Sequence, residues 1–382
     1  MNLIGIRLNL LIGPAPAALP APPGALEKLE SVEVTHSDRE RSGFQLVFSI
    51  GRSGPLDFLD YDLVQNPLFR RNARVVLTAI FDVRPRVIMD GIVRRVDVST
   101  GGGPGRGRLT LSGHDVSVML DREVRQVEHP AQDETVIAAK LIASYPQYGL
   151  IPMVIPPVAI DPPLPIDRTP QQDCSDWAYL QRMAGRHGYV TYVEPGPVPL
   201  TNMVYWGPRI RPEPPQCPLN VDLGPLTNVD QITAANDADA PTTVQGFVKD
   251  RQTGQTVPVV ALVPSRPPLG LAPDAVTDQG SIRSRPLPTT GLNAVQAFTR
   301  AQAIVDYAAD GAHVVSGSLN AMKYNDALRA RRTVDLRGAG ATNDGAYLVR
   351  TVTHRIQRGS YTQDFVLSRA ETGAKLPVVR PC

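Results

Sequence analysis

The side chains best suited to hold a metal or move a proton near neutral pH are six histidines: His36, His114, His129, His187, His313 and His354. No two of them are four residues apart, and no His-Glu-x-x-His stretch occurs, so one helix face cannot present a metal pair. His114 and Asp115 close a predicted strand and His354 falls inside another, so both read as structural histidines. Carboxylates gather at Asp57, Asp60 and Asp62 and again at Asp237 and Asp239. A glycosidase needs two that converge across a cleft, and these lie in polar, turn-like stretches that read as solvated loops. Cys174 stands just before a predicted helix, where a thiolate gains some stabilisation, but it has no identifiable histidine partner. The glycines from Gly101 to Gly107 lead into a strand, whereas a phosphate-binding loop leads into a helix; they read as a hairpin tip. There is no Gly-x-Ser-x-Gly elbow and no Walker sequence. Neither a catalytic residue, nor a cofactor site, nor a metal site is assigned.

The elements around these residues are short and β-rich. The chain has 382 residues, 42% of them apolar, enough for two or three cores. The 37 prolines and 31 glycines argue against long helices and for stiffened connections. A formal charge of +2 excludes the basic excess of a nucleic-acid binder. Cys174, Cys217 and Cys382 are odd in number and far apart, which indicates neither a disulfide framework nor a zinc site and fits a reducing compartment. No apolar run is long enough for a membrane span. Residues 1–30, with Pro-Ala repeats from Pro14 to Pro23, read as an arm of polyproline character rather than a signal peptide.

Alternation of period two marks strands at Val32 and Val34, at Phe44, Leu46, Phe48 and Ile50, at Val75 to Phe81, along Val87 to Val98 with a kink near Gly91, and at Arg108 to Ser112. These form a first β region over 31–125. Helical spacing appears in Glu134 to Tyr145 and again after Ser175, an N-cap followed by the dipole-complementing Asp176. Trp177, Leu180, Met183 and Ala184 share one face of that second helix, and Gly188 stops it. With Pro-rich linkers they make an α/β insert over 126–225. Strands follow at Val229 to Ala235 and Thr243 to Asp250, with Pro264 to Pro288 mostly loop. A helix from Leu292 to Ala309 has Val295, Phe298, Ala301, Ile304 and Val305 on its inner face, and strands at His313 to Leu319, Thr333 to Gly338, Ala346 to Gln357 and Tyr361 to Arg369 complete a second β region over 226–370. Residues 371–382 form a tail. No close internal sequence repeat is evident, although the two β regions read as candidate structural cousins.

Several stretches resemble the phage late-control gene D family. Thr169 to Ala184, followed by His187-Gly188-Tyr189, is similar to its Gln-rich approach to "SDWxFL" and "xxG(F/Y)", carried here by Ser175, Asp176, Trp177, Leu180 and Gly188. Gly345 to His354 looks like its "GxYxVxxVxH" strand, on Gly345, Tyr347, Val349 and His354. Tyr361 to Arg369 looks like its closing "YxxxFxLxR". Asp90 to Val93 and Leu109 to Asp115 match weaker upstream patterns, so the resemblance runs in family order from about Ser31 to Arg369. One departure is Ala330-Arg331-Arg332, where the family has a glycine before the strand at Thr333.

The resemblance implies an α+β, β-rich fold: two small antiparallel Tudor- or SH3-like barrels with an α/β insert, assembling as a pseudo-sixfold trimer. It implies a structural baseplate hub of a contractile tail-like particle, built in the bacterial cytoplasm, that joins a sixfold tail tube to a threefold spike. The implied partners are two further copies of the chain, a tube protein, a separate spike protein and wedge or LysM-type proteins, with no nucleic acid, membrane or cofactor. A hub-associated peptidoglycan hydrolase would need an inserted lytic domain. A glycan-binding module would want aromatic platforms, and aromatics are 5% of the chain.

Overall fold

A computed structural model describes residues 2–3, 5–15, 17–51, 61–101, 107–157, 169–210, 213–236, 242–250, 253–265, 268–273, 282–287 and 293–375. The carboxylates Asp57, Asp60, Asp237 and Asp239, the loop 102–106, Leu292 and Cys382 lie outside them, as does the side chain of Asp62.

Strands dominate, and most join one 14-stranded sheet. The first β region contributes β1 (Ile6–Pro14), β2 (Leu29–Ser37), β3 (Gly43–Ile50), β4 (Ala73–Phe81), β5 (Arg84–Ser99) and β6 (Gly107–Asp115). The insert holds α1 (Glu134–Ala143), β7 (Leu150–Val154), α2 (Asp176–Arg186), β8 (Val190–Pro195) and β9 (Asn202–Gly207). Beyond it come β10 (Gln216–Asn220), β11 (Val229–Asn236), β12 (Thr242–Lys249), β13 (Thr256–Ala261), β14 (Arg283–Pro286) and α3 (Ala294–Ala309). The last are β15 (His313–Asn320), β16 (Thr333–Arg337), β17 (Gly345–Gln357) and β18 (Ser360–Arg369). The sheet runs β1-β4-β5-β6-β3-β2-β17-β18-β15-β11, with β16 beside β17 and β10 beside β16. No strand pairing among the described residues closes either β region into a barrel.

Local chemistry accounts for the elements. Phe44, Leu46, Phe48 and Ile50 of β3 are all buried, while Gln45 is exposed and Val47 and Ser49 half-buried. Burying each such side chain is worth about 1.5–3 kcal/mol. Helix α1 is capped by Asp133, whose carboxylate accepts from the Thr135 and Val136 amides at 2.7 and 3.0 Å. Helix α2 is capped by Ser175, and α3 by a reciprocal box of Asn293 and Gln296. Four larger cores result: one under the first β region, one in the insert, one under the second β region, and one between α3 and the small sheet β12-β13-β14.

Three expectations are corrected. Residues 6–14 are no polyproline arm, because β1 pairs with β4 from Ile6 opposite Phe81 to Pro14 opposite Ala73. Ile6, Leu8, Leu10 and Ile12 enter the first core, and Pro23–Lys28 is a short helix. The inner face of α3 is Ala297, Ala301, Val305 and Ala309, while Val295 and Phe298 are exposed. Alanines let the helix approach the small sheet more closely than Phe298 would allow. Cys217 is disulfide-bonded and Cys174 is free.

Candidate assembly surface

The two β regions are copies of one five-stranded unit. In the first, the chain visits β2, β3, β4, β5 and β6; in the second, β11, β15, β16, β17 and β18. The sheet order is the same in both, β4-β5-β6-β3-β2 and β16-β17-β18-β15-β11. Register makes the match residue by residue. The β2–β3 ladder slips between Leu29 and Ser31, and the β11–β15 ladder between Val229 and Gln231. The β5–β6 ladder slips between Val93 and Arg95, and the β17–β18 ladder between Val349 and Thr351. Bulges are specific features of a sheet, each re-aiming the side chains beyond it. Two at corresponding places in each unit give an unambiguous alignment, with Val34 equivalent to Ala234, Val96 to Val352 and Leu111 to Phe365.

The units join side by side through β2 and β17, from Ser37 opposite Thr351 to Ser31 opposite Gln357. The result is a tract of eight strands, from Arg94–Ser99 of β5 at one end to β11 at the other. Its outward face is polar. One transverse row carries Arg95, Ser112, Gln45, Glu33, Arg355, Thr362 and Asn320. The next carries His114, Gly43, Thr35, Thr353, Asp364, Ser318 and Gln231. Charges on this face meet opposite charges: Arg355 faces Asp364 and, at 3.8 Å, Glu33; Arg95 lies 2.8 Å from Asp97. Such exposed pairs are worth little energy but leave a balanced surface. Thr35 and Thr353 share a hydroxyl hydrogen bond of 3.2 Å across the junction. A shallow groove of about 400 Å³ crosses the face at Glu33, Gln45, Arg94 and Ser112. Its lining of charged, amide and hydroxyl side chains can hydrogen-bond a passing or docked surface.

Beneath the junction lie His36 and His354, their rings edge to face at 5.8 Å. The His36 Nε2–H donates to the Ile88 carbonyl at 2.8 Å, which leaves Nδ1 to accept from the Ser42 hydroxyl at 3.0 Å. Ser42 in turn accepts from Arg331 at 3.3 Å. Burial first, and the neighbouring Arg331 second, push His36 down to about 4. Burial also lowers His354, whose Nδ1 meets the Tyr361 hydroxyl at 2.9 Å.

The residues singled out by sequence fall into three separate cores, with Tyr361 in the one under the first β region against Phe81 and the rest in the insert and the second unit. In the insert, Asp176 is buried and accepts from Tyr145 Oη at 2.7 Å, Gln172 Nε2 at 2.6 Å and Arg125 at 3.1 Å. Ser175 donates to Asp121. Trp177 lies under the Arg41 guanidinium, and the Leu180 carbonyl accepts from Trp206. Gly188, at φ +66°, stands where an added Cβ would lie 2.2 Å from Ala303 of α3. In the second unit, Gly345 leaves room for the Arg369 guanidinium. That group caps the Asp344 and Thr342 carbonyls at 2.9 and 2.6 Å and stacks on Tyr347, while Val349 is core. No group of three or more His, Cys, Asp or Glu side chains converges to hold a metal among the described residues. The resemblance implies two paired β modules, but sequence reasoning does not read the shared strand order and register of the tandem unit. Its signal is bulge spacing and burial rather than residue identity.

No family model matches the sequence, and no curated protein matches it. Solved structures do. The fold is one shared with phage tail proteins. The tail protein from Neisseria meningitidis MC58 superposes with a TM-score of 0.63 at 12% identity, covering 96% of this chain and 97% of that one. The 43 kDa tail protein of prophage MuSo2 from Shewanella oneidensis gives 0.64 at 11%, covering 96% and 98%. An E. coli component of the type VI secretion system, described as structurally similar to bacteriophage T4 tail proteins, gives 0.57 at 10%, covering 93% and 78%.

Proposed function

We propose that this chain is a structural hub subunit at the baseplate of a contractile tail-like particle, joining a sixfold tail tube to a threefold spike. The observation that carries this reading is the tandem unit. Three chains supply six copies of one five-stranded element, which is what a threefold body needs to meet a sixfold ring. The fold shared with phage tail and type VI secretion proteins supports it. On this reading residues 31–125 and 226–370 are the paired modules and 126–225 is an insert braced against the first. The polar face of the eight-stranded tract lines a central passage, where paired charges and short hydroxyl side chains give a transported polymer little to stick to. The partners are two further copies of the chain, a tail tube protein, a separate spike and baseplate wedge or LysM-type proteins. The motif residues Ser175, Asp176, Trp177, Leu180, Gly188, Gly345, Tyr347, Val349, His354, Tyr361 and Arg369 hold the modules in shape, and no reaction is assigned to them.

The test is the mass of the purified chain by light scattering after size exclusion, alone and with its candidate spike. A trimer in either preparation is the expected result. A monomer indifferent to spike and tube proteins overturns the reading.

A further inference from the structure

Arginines gather at the bulge of β5 in the first unit. The turn 70–72 lies against that bulge, because the Asn72 N–H meets the Val93 carbonyl at 2.8 Å. Arg70 and Arg71 are thereby brought beside Arg94, the residue inside the bulge. Arg122 joins them by donating to Asn72 Oδ1. All four residues are exposed. Asp121, which Arg94 is near enough to act on electrostatically, pairs with Arg41 at 2.7 Å. Among the described residues no carboxylate forms an ion pair with Arg70, Arg71, Arg94 or Arg122. In a chain of formal charge +2 this is a local excess of one sign, a field that attracts an opposite charge.

The second unit shows what the same arrangement accepts. Arg70 is equivalent to Arg329 and Arg94 to Arg350, by the registers of β4 on β5 and of β16 on β17. Both counterparts meet carboxylates, Arg329 with Glu194 at 3.6 Å and Arg350 with Asp38 at 3.7 Å. Arg332 lies 3.1 Å from the same Glu194. Neither acid belongs to the second unit. Glu194 comes from β8 of the insert, and Asp38 follows β2 of the first unit. The bulge arginines of the second unit are therefore closed by carboxylates that a neighbouring body brings, and those of the first unit are not. The chain has one insert, and its Glu194 is engaged at the second unit of the same copy. Each further copy brings one insert, engaged in the same way, so added copies leave Arg70 without its acid.

We infer that Arg70, Arg71, Arg94 and Arg122 form a docking site for a carboxylate-rich segment of a different protein. Guanidinium forks match carboxylates, which can accept two parallel bonds. The site fits a loop or tail that presents two or more Asp or Glu side chains close together. Such attraction sets partner choice and weakens with salt. The nearly balanced charge of the whole chain argues against nucleic acid as the occupant. The site is a property of the single chain and does not depend on the hub reading.

The test is fluorescence anisotropy of labelled hexaglutamate titrated with the full chain at low and at raised salt. Labelled hexaglutamine is the neutral probe and labelled hexathymidylate the phosphate probe. The variants are Arg70→Gln with Arg94→Gln and, as a control of equal charge change, Arg84→Gln with Arg108→Gln, all exposed positions. An unchanged urea midpoint confirms that each variant folds as the parent does. Hexaglutamate is expected to bind at low salt, and the Arg70/Arg94 pair to weaken it roughly fivefold or more, with little effect from the control pair. Hexaglutamate binding no tighter than hexaglutamine, or equally to parent and variant, overturns the inference. Tighter binding of hexathymidylate with the same sensitivity assigns the arginines to phosphate and overturns the carboxylate reading. A lower mass for the Arg70/Arg94 variant by light scattering makes the occupant another copy and overturns the inference as well, while leaving the hub reading standing.

Discussion

Asn72 and Arg331 hold the same position in the two units, and both are left-handed, with φ of 67° and 68°. Each stands just before the strand that flanks the long bent one. Each donates its backbone N–H to that strand at the bulge, Asn72 to the Val93 carbonyl at 2.8 Å and Arg331 to Val349 at 2.7 Å. Asparagine tolerates this conformation, whereas for arginine it costs roughly 1–2 kcal/mol. The resemblance led to a glycine at this place in the second unit. What stands there is a buried guanidinium, donating to the Ser37 carbonyl at 3.0 and 2.6 Å and lying 4.2 Å over the Tyr192 ring. Strain in one unit thus accompanies contacts to the other unit and to the insert.

Arg331→Ala is therefore expected to be worse than Arg331→Gly. Both lose hydrogen bonds to a charged donor, on the order of 1.5–3 kcal/mol each. Alanine also keeps the backbone strain that glycine relieves, so the two variants should differ by about 1 kcal/mol. Urea unfolding of the two side by side measures it, and equal stability would mean that the left-handed turn is not strained.

A buried ion pair within the first unit carries hydrogen bonds to the insert. Arg74 grips Asp90 with two bonds of 2.8 and 2.7 Å, and the same guanidinium reaches the Tyr148 and Leu200 carbonyls, each at 3.0 Å. Asn202 donates to Asp90 at 3.0 Å. Burial raises the Asp90 carboxyl above the usual carboxylate range, against the pull of Arg74. Arg74→Met should cost about 3–5 kcal/mol by stranding Asp90. Adding Asp90→Leu should recover part of that loss. The deficit of the single variant should also shrink at acid pH, because protonation discharges the carboxyl. Unfolding free energies of the four-member cycle at two pH values test both points.

Much of this fold could be read from the sequence where one residue type dominated a face. The alternation in β3 and the capped, amphipathic α2 are examples, because burial and capping leave period-two and 3.6-residue patterns. β1 carries the same alternation at Ile6, Leu8, Leu10 and Ile12, but the prolines that follow hid it. Close packing selects alanine for the buried face of α3 over the larger Val295 and Phe298, so large apolar residues point to the wrong face. The resemblance implies the pairing of the two β regions, but their register is not legible in the sequence because equivalent positions share little identity: Gly113 matches Leu367, and Asn72 matches Arg331. Backbone register and burial persist in the repeat, and neither is written in residue names.

The junction histidines predict an acid-sensitive fold. His36 stays neutral in the folded chain down to about 4, whereas unfolding returns it to its ordinary 6.5. Between those values the unfolded chain binds the extra proton, so stability falls as pH drops from 6.5 to 4, by roughly 3 kcal/mol for this side chain. His354 is lowered too and acts in the same direction. Arg331 and Arg329 oppose a charge on His36, and Glu194 favours one. His36→Gln should flatten the dependence of the urea midpoint on pH within that window, and an unchanged slope would assign the acid sensitivity elsewhere.

Two glycines in one segment should respond in opposite ways to the same substitution. Gly185 lies within α2 with nothing within 4 Å of an added Cβ. Gly185→Ala should stabilise the chain by about 0.5–1 kcal/mol, since alanine loses less backbone entropy in a helix. Gly188, just past the end of α2, is left-handed, and its Cβ would lie 2.2 Å from the Ala303 Cβ. Gly188→Ala should cost about 1–3 kcal/mol through strain and overpacking, and it should loosen α3 where that helix rests on the insert. Pairing it with Ala303→Gly removes the collision but not the backbone strain, so only part of the loss should return. Thermal unfolding of the three variants and the double variant separates the terms. Full recovery would assign the whole cost to the α3 contact, and no recovery would assign it to the backbone alone.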